Sequence, residues 1–143
     1  MNQITTQYVT ENGACYEQYV ITDPAAKTSL TITPERGGMI TGFTLDGDEY
    51  IWTRRPNFSE CNRPRFGVPV LFPSCGNPDG GVHNFDGKAY PMETHGFADL
   101  CGWDVESVGP DGVTLALEST PLTKFLYPFD FTLLVNYNLE GNK

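Results

Sequence analysis

Both histidines of this chain, His83 and His95, fall between Arg63 and Trp103, in the stretch RPRFGVPVLFPSCGNPDGGVHNFDGKAYPMETHGFADLCGW. An imidazole changes charge near neutrality, so it can give or take a proton under ordinary conditions. His95 is followed by Gly96, which lets the backbone turn sharply there. By residue type alone, His95 reads either as a proton-transfer group or as a structural histidine bonded to a backbone carbonyl. Arg63 and Arg65 offer guanidinium forks that suit hydroxyls or a phosphate. Asn77, beside Gly76, either bonds a polar ligand or closes a turn. His83, between Gly81 and the Asp86-Gly87 turn, reads as exposed and without a role. A metal site built from His83, Glu93 and His95 matches neither the zinc-binding helix pattern nor two histidines and a carboxylate on one strand, so no metal is expected.

The elements that must hold these groups are strands. From Phe129 to Leu139, apolar residues (Phe129, Phe131, Leu133, Val135, Tyr137, Leu139) take every second place, which predicts one long strand with one buried face. Gly112–Glu118 repeats the pattern with Val113, Leu115 and Leu117. Tyr16–Thr22, Lys27–Thr33, Met39–Leu45 and Glu49–Thr53 read as further strands, and Val68–Phe72 as a buried, strand-like segment. Asp46-Gly47, Asp86-Gly87 and Asp111-Gly112 are turn signals, and Arg36-Gly37-Gly38 marks another tight connection. No window keeps helical spacing. The expectation is a single all-β domain, an antiparallel β-sandwich, with its site on loops above a rigid frame. The strand near the last residues needs cover on both edges; without it, pairing with a second copy as a homodimer is the alternative.

Composition narrows the partners. The chain has 143 residues and a formal net charge of −9 with no basic run, which excludes nucleic acid and anionic membrane surfaces and favours a neutral ligand. The first residues lack the basic and apolar regions of a signal peptide, and no apolar run approaches the roughly 18 residues of a membrane span. Cys15, Cys61, Cys75 and Cys101 form no C-x-x-C pair, so they read as reduced, buried thiols of a cytoplasmic protein.

Five segments in order carry a resemblance: ERGGMITGFTLDGDEYIW, RFGVPVLFPSCGN, the Asp-Gly hairpin with KAYPM, HGFADLCGWDV, and YPFDFTLLVNYNLEGN. Together, over roughly Arg36 to Asn142, the chain resembles the aldose 1-epimerase (galactose mutarotase-like) superfamily, especially its hexose-6-phosphate epimerase-like branch. The resemblance implies the N-terminal half of a galactose mutarotase-like β-supersandwich, incomplete at the C-terminus. It also implies interconversion of the α and β anomers of an aldohexose without a cofactor. That reaction opens a cyclic hemiacetal. One group protonates the ring oxygen as the C1–O5 bond breaks, and another takes the proton of the C1 hydroxyl. The aldehyde then rotates and recloses. Imidazole and carboxylate suit both roles.

By the same resemblance His95 is the catalytic histidine near the ring oxygen, and Arg65 lines the sugar pocket, with Arg63 a weaker candidate. Asn77 would bond a sugar hydroxyl. Phe72, Phe97 and Trp103 either stack on the sugar or fill the core. Two places depart from the pattern. Phe66 stands where the phosphate-sugar branch often has glycine. Asp99 stands where many members have arginine after His-Gly-Phe-Ala. An anion in that place weakens a phosphate-binding role and favours an unphosphorylated aldose; Asp99 then either faces the sugar, pairs with a surface lysine or caps a turn. The family's second histidine, in a Gly-x-His-Pro context, and its carboxylate base belong to the second half of chains about twice this length. The alternative to an enzyme is a non-catalytic carbohydrate-binding or regulatory protein of the same fold.

Overall fold

Three two-residue turns set the frame. The computed structural model describes residues 1–53, 58, 63, 65–110 and 112–143. Asn12-Gly13 (φ 50° and 80°), Asp46-Gly47 (52° and 94°) and Asp86-Gly87 (49° and 77°) all have positive φ at both central residues. That geometry matches the right-handed twist of the strands it joins, and Asn-Gly or Asp-Gly adopts it at least cost. The turns produce β1 (Gln3–Glu11) against β2 (Ala14–Asp23), β4 (Met39–Leu45) against β5 (Asp48–Glu49), and β6 (Val82–Phe85) against β7 (Lys88–Pro91).

With β3 (Thr28–Thr33), the first five strands form an antiparallel sheet in the order β1-β2-β3-β4-β5. A second sheet runs β10-β9-β8, from β8 (Asp104–Gly109), β9 (Gly112–Glu118) and β10 (Thr132–Asn138). The hairpin β6-β7 is a separate ribbon. The two larger sheets share one core. Ile21, Leu30 and Ile32 from the first meet Val113, Leu115 and Leu117 from the second, with Ala98, Trp103 and Leu139 at the margin. Each of these large aliphatic side chains contributes roughly 1.5–3 kcal/mol by leaving water. On β2, side chains alternate: Tyr19 and Ile21 face this core, while Gln18 is buried on the other face, bonded to the Thr33 and Thr41 hydroxyls at 2.9 and 3.3 Å. A smaller cluster of Met39, Phe58 and Phe66 packs with Val9 and Tyr16.

The all-β, antiparallel expectation holds, and Met39–Leu45 and Gly112–Glu118 are strands at their expected bounds. Several other boundaries move. The strand expected over Phe129–Leu139 is Thr132–Asn138; before it, Phe129 and Phe131 join a ring cluster with Tyr127 instead of a ladder. β10 pairs with β9, and no described strand lies on its other edge. Glu49–Thr53 shrinks to Asp48–Glu49, with Tyr50 and Trp52 exposed. Val68–Phe72 is not a strand. It makes single bridges, Val68 to Ile40 and Phe72 to Gly96, because Pro69 has no N–H to offer a ladder, and Val68 is exposed. β1 and β8 were not foreseen. The Asp111-Gly112 turn falls partly on Asp111, outside the described residues.

Cys15 and Cys75 are exposed rather than buried, Cys101 is half-buried, and Cys61 lies outside the described residues. His83 is half-buried, not exposed; its ring lies edge-on to Phe85. No helix among the described residues is long and apolar enough to cross a membrane.

Candidate functional site

The site is a corner on which backbone bonds converge. After β7 the chain turns through Glu93–Phe97, where His95 and Gly96 both have positive φ (72° and 76°). A left-handed histidine is uncommon and persists only where its surroundings hold it. Here the His95 N–H donates to the Gly76 carbonyl at 3.0 Å, and the Gly96 N–H to the Glu93 carbonyl at 3.0 Å. The Phe97 and Ala98 N–H groups both donate to the Phe72 carbonyl, at 2.9 and 3.2 Å. A Cβ on Gly96 would lie 2.2 Å from that same carbonyl oxygen, so glycine is required on space as well as on φ.

His95 Nδ1 is 3.1 Å from the Cys75 carbonyl oxygen. A carbonyl only accepts, so the bond puts the proton on Nδ1 and leaves Nε2 as the acceptor of the neutral ring. The bond to a backbone carbonyl is the one a structural histidine makes. It also fixes which nitrogen is left for chemistry.

A cleft of about 810 Å³ opens beside this corner. Arg63, Arg65, Asn77, Glu93, Thr94 and Gly96 line it, and Phe97, Leu100 and Leu126 add apolar surface. His95 stands between two lining residues, Thr94 and Gly96. Thr94 Oγ1 donates to Asn77 Oδ1 at 2.6 Å, which leaves the Asn77 amide NH₂ as a donor. Arg65 is exposed on the cleft, and no described carboxylate pairs with it.

Arg63 is spent elsewhere. Its Nη1 donates to both oxygens of Asp99 at 2.7 Å, and its Nη2 to the Gly96 carbonyl at 2.7 Å. Nη2 also lies 3.6 Å from Glu93 Oε2. Asp99, in a 3₁₀ turn over Ala98–Leu100, is 1% exposed. Burial lifts its carboxyl above the ordinary carboxylate range; the Arg63 charge and hydrogen bond pull it back, and His95 adds a weaker pull in the same direction. Burial, and then the Asp99 charge, raise the Cys101 thiol.

The structure thus gathers Arg65 and Asn77 on one cleft with His95 at its corner. It sets two expected sugar contacts back from it. Asp99 meets Arg63, not solvent. Phe72 is half-buried among Phe97, Tyr127 and Phe131, with ring centroids 5.0–6.0 Å away. Trp103 is core, with its indole N–H donating to the Ala98 carbonyl at 3.0 Å. Glu93 and Thr94 were not foreseen as lining residues. Their place just before His95, in Met-Glu-Thr-His, was the available signal. Among the described residues, no group of three or more His, Cys, Asp and Glu could hold a metal ion.

The all-β architecture of antiparallel sheets matches the galactose mutarotase-like class of fold. The family model for aldose 1-epimerase matches residues 17–143, and the chain belongs to that family. Its fold is similar to that of the Slr1438 protein from Synechocystis sp. PCC 6803, with 30% identity, a TM-score of 0.83, and coverage of 99% of this chain and 48% of that one. A galactose mutarotase related enzyme from Lactobacillus acidophilus matches at 25% identity and a TM-score of 0.67, over 96% of this chain and 40% of that one. Galactose 1-epimerase from Lactobacillus acidophilus NCFM shares the fold at 17% identity and a TM-score of 0.71, over 97% of this chain and 46% of that one. The chain therefore spans about half the length of these relatives. No curated protein matches it.

Proposed function

We propose that this chain forms the ring-oxygen side of a mutarotase site and takes part in interconverting the α and β anomers of an unphosphorylated aldohexose. The observation that carries this reading is the held tautomer of His95. With Nδ1–H engaged by Cys75, Nε2 is the nitrogen left to exchange a proton with a ring oxygen. As imidazolium it would protonate that oxygen while the C1–O5 bond breaks, and take the proton back on closure.

The charge of the cleft supports an uncharged sugar. The lining cations Arg63 and Arg65 are balanced by Glu93 and by Asp99 behind Arg63. Among the described residues lining the cleft, a phosphate would meet one guanidinium without a carboxylate partner, that of Arg65.

The test is anomer exchange by NMR, starting from freshly dissolved α-galactose and α-glucose. The expected result is accelerated equilibration that His95→Asn lowers by about 10²–10⁴-fold. Asparagine tolerates positive φ, so this variant should keep its stability within about 1 kcal/mol. An unfolded His95→Asn, or an active one, would remove the catalytic role. A second reading, non-catalytic carbohydrate binding, rests on one observation: among the described residues, the cleft is lined by the single carboxylate Glu93, and no imidazole besides that of His95 adjoins a lining residue in the chain. Saturable sugar binding without acceleration would select it.

A further inference from the structure

Arg63 and Asp99 form a part-buried charge pair. They are 36 positions apart in sequence, and the guanidinium is 22% exposed against 1% for the carboxylate. A pair of this kind is a weak source of stability, because desolvating both charges offsets most of their attraction. Its geometry is more informative than its energy. One guanidinium terminus takes both carboxylate oxygens, and the other takes the carbonyl of Gly96, the residue that follows His95. The fork is rigid and planar, so fixing one side aims the other. The corner it aims at holds two consecutive residues at positive φ, which local preference alone would not maintain.

We infer that Arg63 is a positioning residue, anchored on Asp99, which clamps the Gly96 carbonyl and thereby holds the His95 imidazole on the Cys75 carbonyl with Nε2 free. This extends the proposed function by naming what sets the histidine's tautomer, and the importance of that tautomer rests on that reading. The clamp itself does not. It also explains an aspartate at position 99: the pair needs an anion there.

The test reads the ring directly. Long-range ¹H–¹⁵N NMR of the full chain, labelled at histidine, reports the tautomer of each of its two rings; His83→Gln assigns them. The wild-type His95 ring should be the Nδ1–H tautomer. In Arg63→Met, with the amide spectrum of the sheets unchanged, the Nδ1–H to Nε2–H ratio should fall by about fivefold, the worth of one lost hydrogen bond. If Arg63→Met does not fold, Arg63→Lys is read instead. Lysine keeps the charge against Asp99, but its single ammonium cannot repeat the fork, and the same fall is expected. An unchanged tautomer in the folded variant overturns the inference. Titration of the same samples with D-galactose keeps the two claims apart. A tautomer change without sugar binding in the wild type supports the clamp and sinks the functional reading. Sugar binding with no tautomer change does the reverse.

Discussion

Gly96→Ala probes the corner most directly. At φ 76° an added Cβ meets the Phe72 carbonyl oxygen at 2.2 Å, its carbon at 2.4 Å and the Pro73 nitrogen at 2.6 Å. All three are backbone atoms, so no side chain can swing away. The Phe72 carbonyl cannot retreat freely either, because it accepts from Phe97 and Ala98. Placing a Cβ in a left-handed residue costs about 1–2 kcal/mol. Forcing backbone apart in a packed region costs about 1–3 kcal/mol, and loosening the two hydrogen bonds about 1 kcal/mol more. The sum, about 3–6 kcal/mol, is a large share of the roughly 5–15 kcal/mol that holds a domain. Gly80→Ala is the control: its φ is 64°, but the nearest atom to its Cβ is Val82 Cγ2 at 4.0 Å, so it should lose only the conformational part, about 1–2 kcal/mol. Urea unfolding of the two variants and the wild type measures the difference. Gly96→Ala should fall about 2–4 kcal/mol below Gly80→Ala. Equal losses would mean that the close approach of Gly96 to Phe72 does not constrain the corner, and the account of a locked His95 would fail with it.

Two further perturbations follow from the same structure. Burial pushes the Tyr137 hydroxyl up to about 12 from its ordinary 10.0, and it donates to the Gly38 carbonyl at 2.6 Å. A raised pKa means the folded state holds the proton more tightly than the unfolded chain. That stabilisation is complete below pH 10 and is lost as pH rises toward 12. Tyr137→Phe should be less stable by about 1 kcal/mol at pH 7 and should lose less than the wild type on going to pH 12. Tyr8 and Tyr19 are also raised, so the urea midpoints of the two proteins must be compared as a difference, and parallel pH curves would refute the assignment. Arg65→Gln should weaken D-galactose binding about tenfold with no change in thermal midpoint, since the side chain is exposed on the cleft and in the proposed site would bond the sugar rather than the fold. Calorimetry with D-galactose and D-galactose 6-phosphate reads both halves: wild-type preference for the phosphate, erased by Arg65→Gln, would overturn the unphosphorylated substrate.

The sheets were legible where side chains alternate or turns are explicit. β10 shows the strictest alternation, and its exposed and half-buried residues follow it one by one. β4 lies between two tight turns, and its bounds were readable to the residue. β1 was missed although Asn12-Gly13 is as strong a hairpin signal as Asp46-Gly47; its residues are mostly exposed, so no apolar face announced it. Val68–Phe72 failed for the opposite reason. Its composition is that of a buried strand, but a strand is defined by its ladder, and Pro69 cannot donate to one. At the site, His95, Arg65 and Asn77 were nameable from the sequence, and the structure sets Arg65 and Asn77 on one cleft with His95 between two lining residues. Residue type could not find the Arg63–Asp99 pair, because nothing local links residues 36 positions apart. The aspartate read as a departure at a ligand-facing place, whereas burial has turned it toward the protein's own arginine.

Glycine joins the distant segments into one unit. The turn after β3 passes so close to the Ala98–Leu100 turn that a Cβ on Gly37 would stand 2.5 Å from the Asp99 carbonyl oxygen, and one on Gly38 would strike the Trp103 ring at 2.8 Å. The Gly37 N–H donates to the Cys101 carbonyl at 3.0 Å, the Trp103 N–H to the Pro34 carbonyl at 3.1 Å, and Tyr137 closes on Gly38 from β10. The Glu-Arg-Gly-Gly turn, the His-Gly-Phe-Ala-Asp corner and the last strand are therefore not independent landmarks along the chain. The first holds the turn that buries Asp99. Asp99 orients Arg63, Arg63 holds the carbonyl of Gly96, and Gly96 carries the bend that presents His95. Each link is a backbone approach or a hydrogen bond of fixed length, so a side chain added at Gly37 would reach the imidazole without touching the cleft.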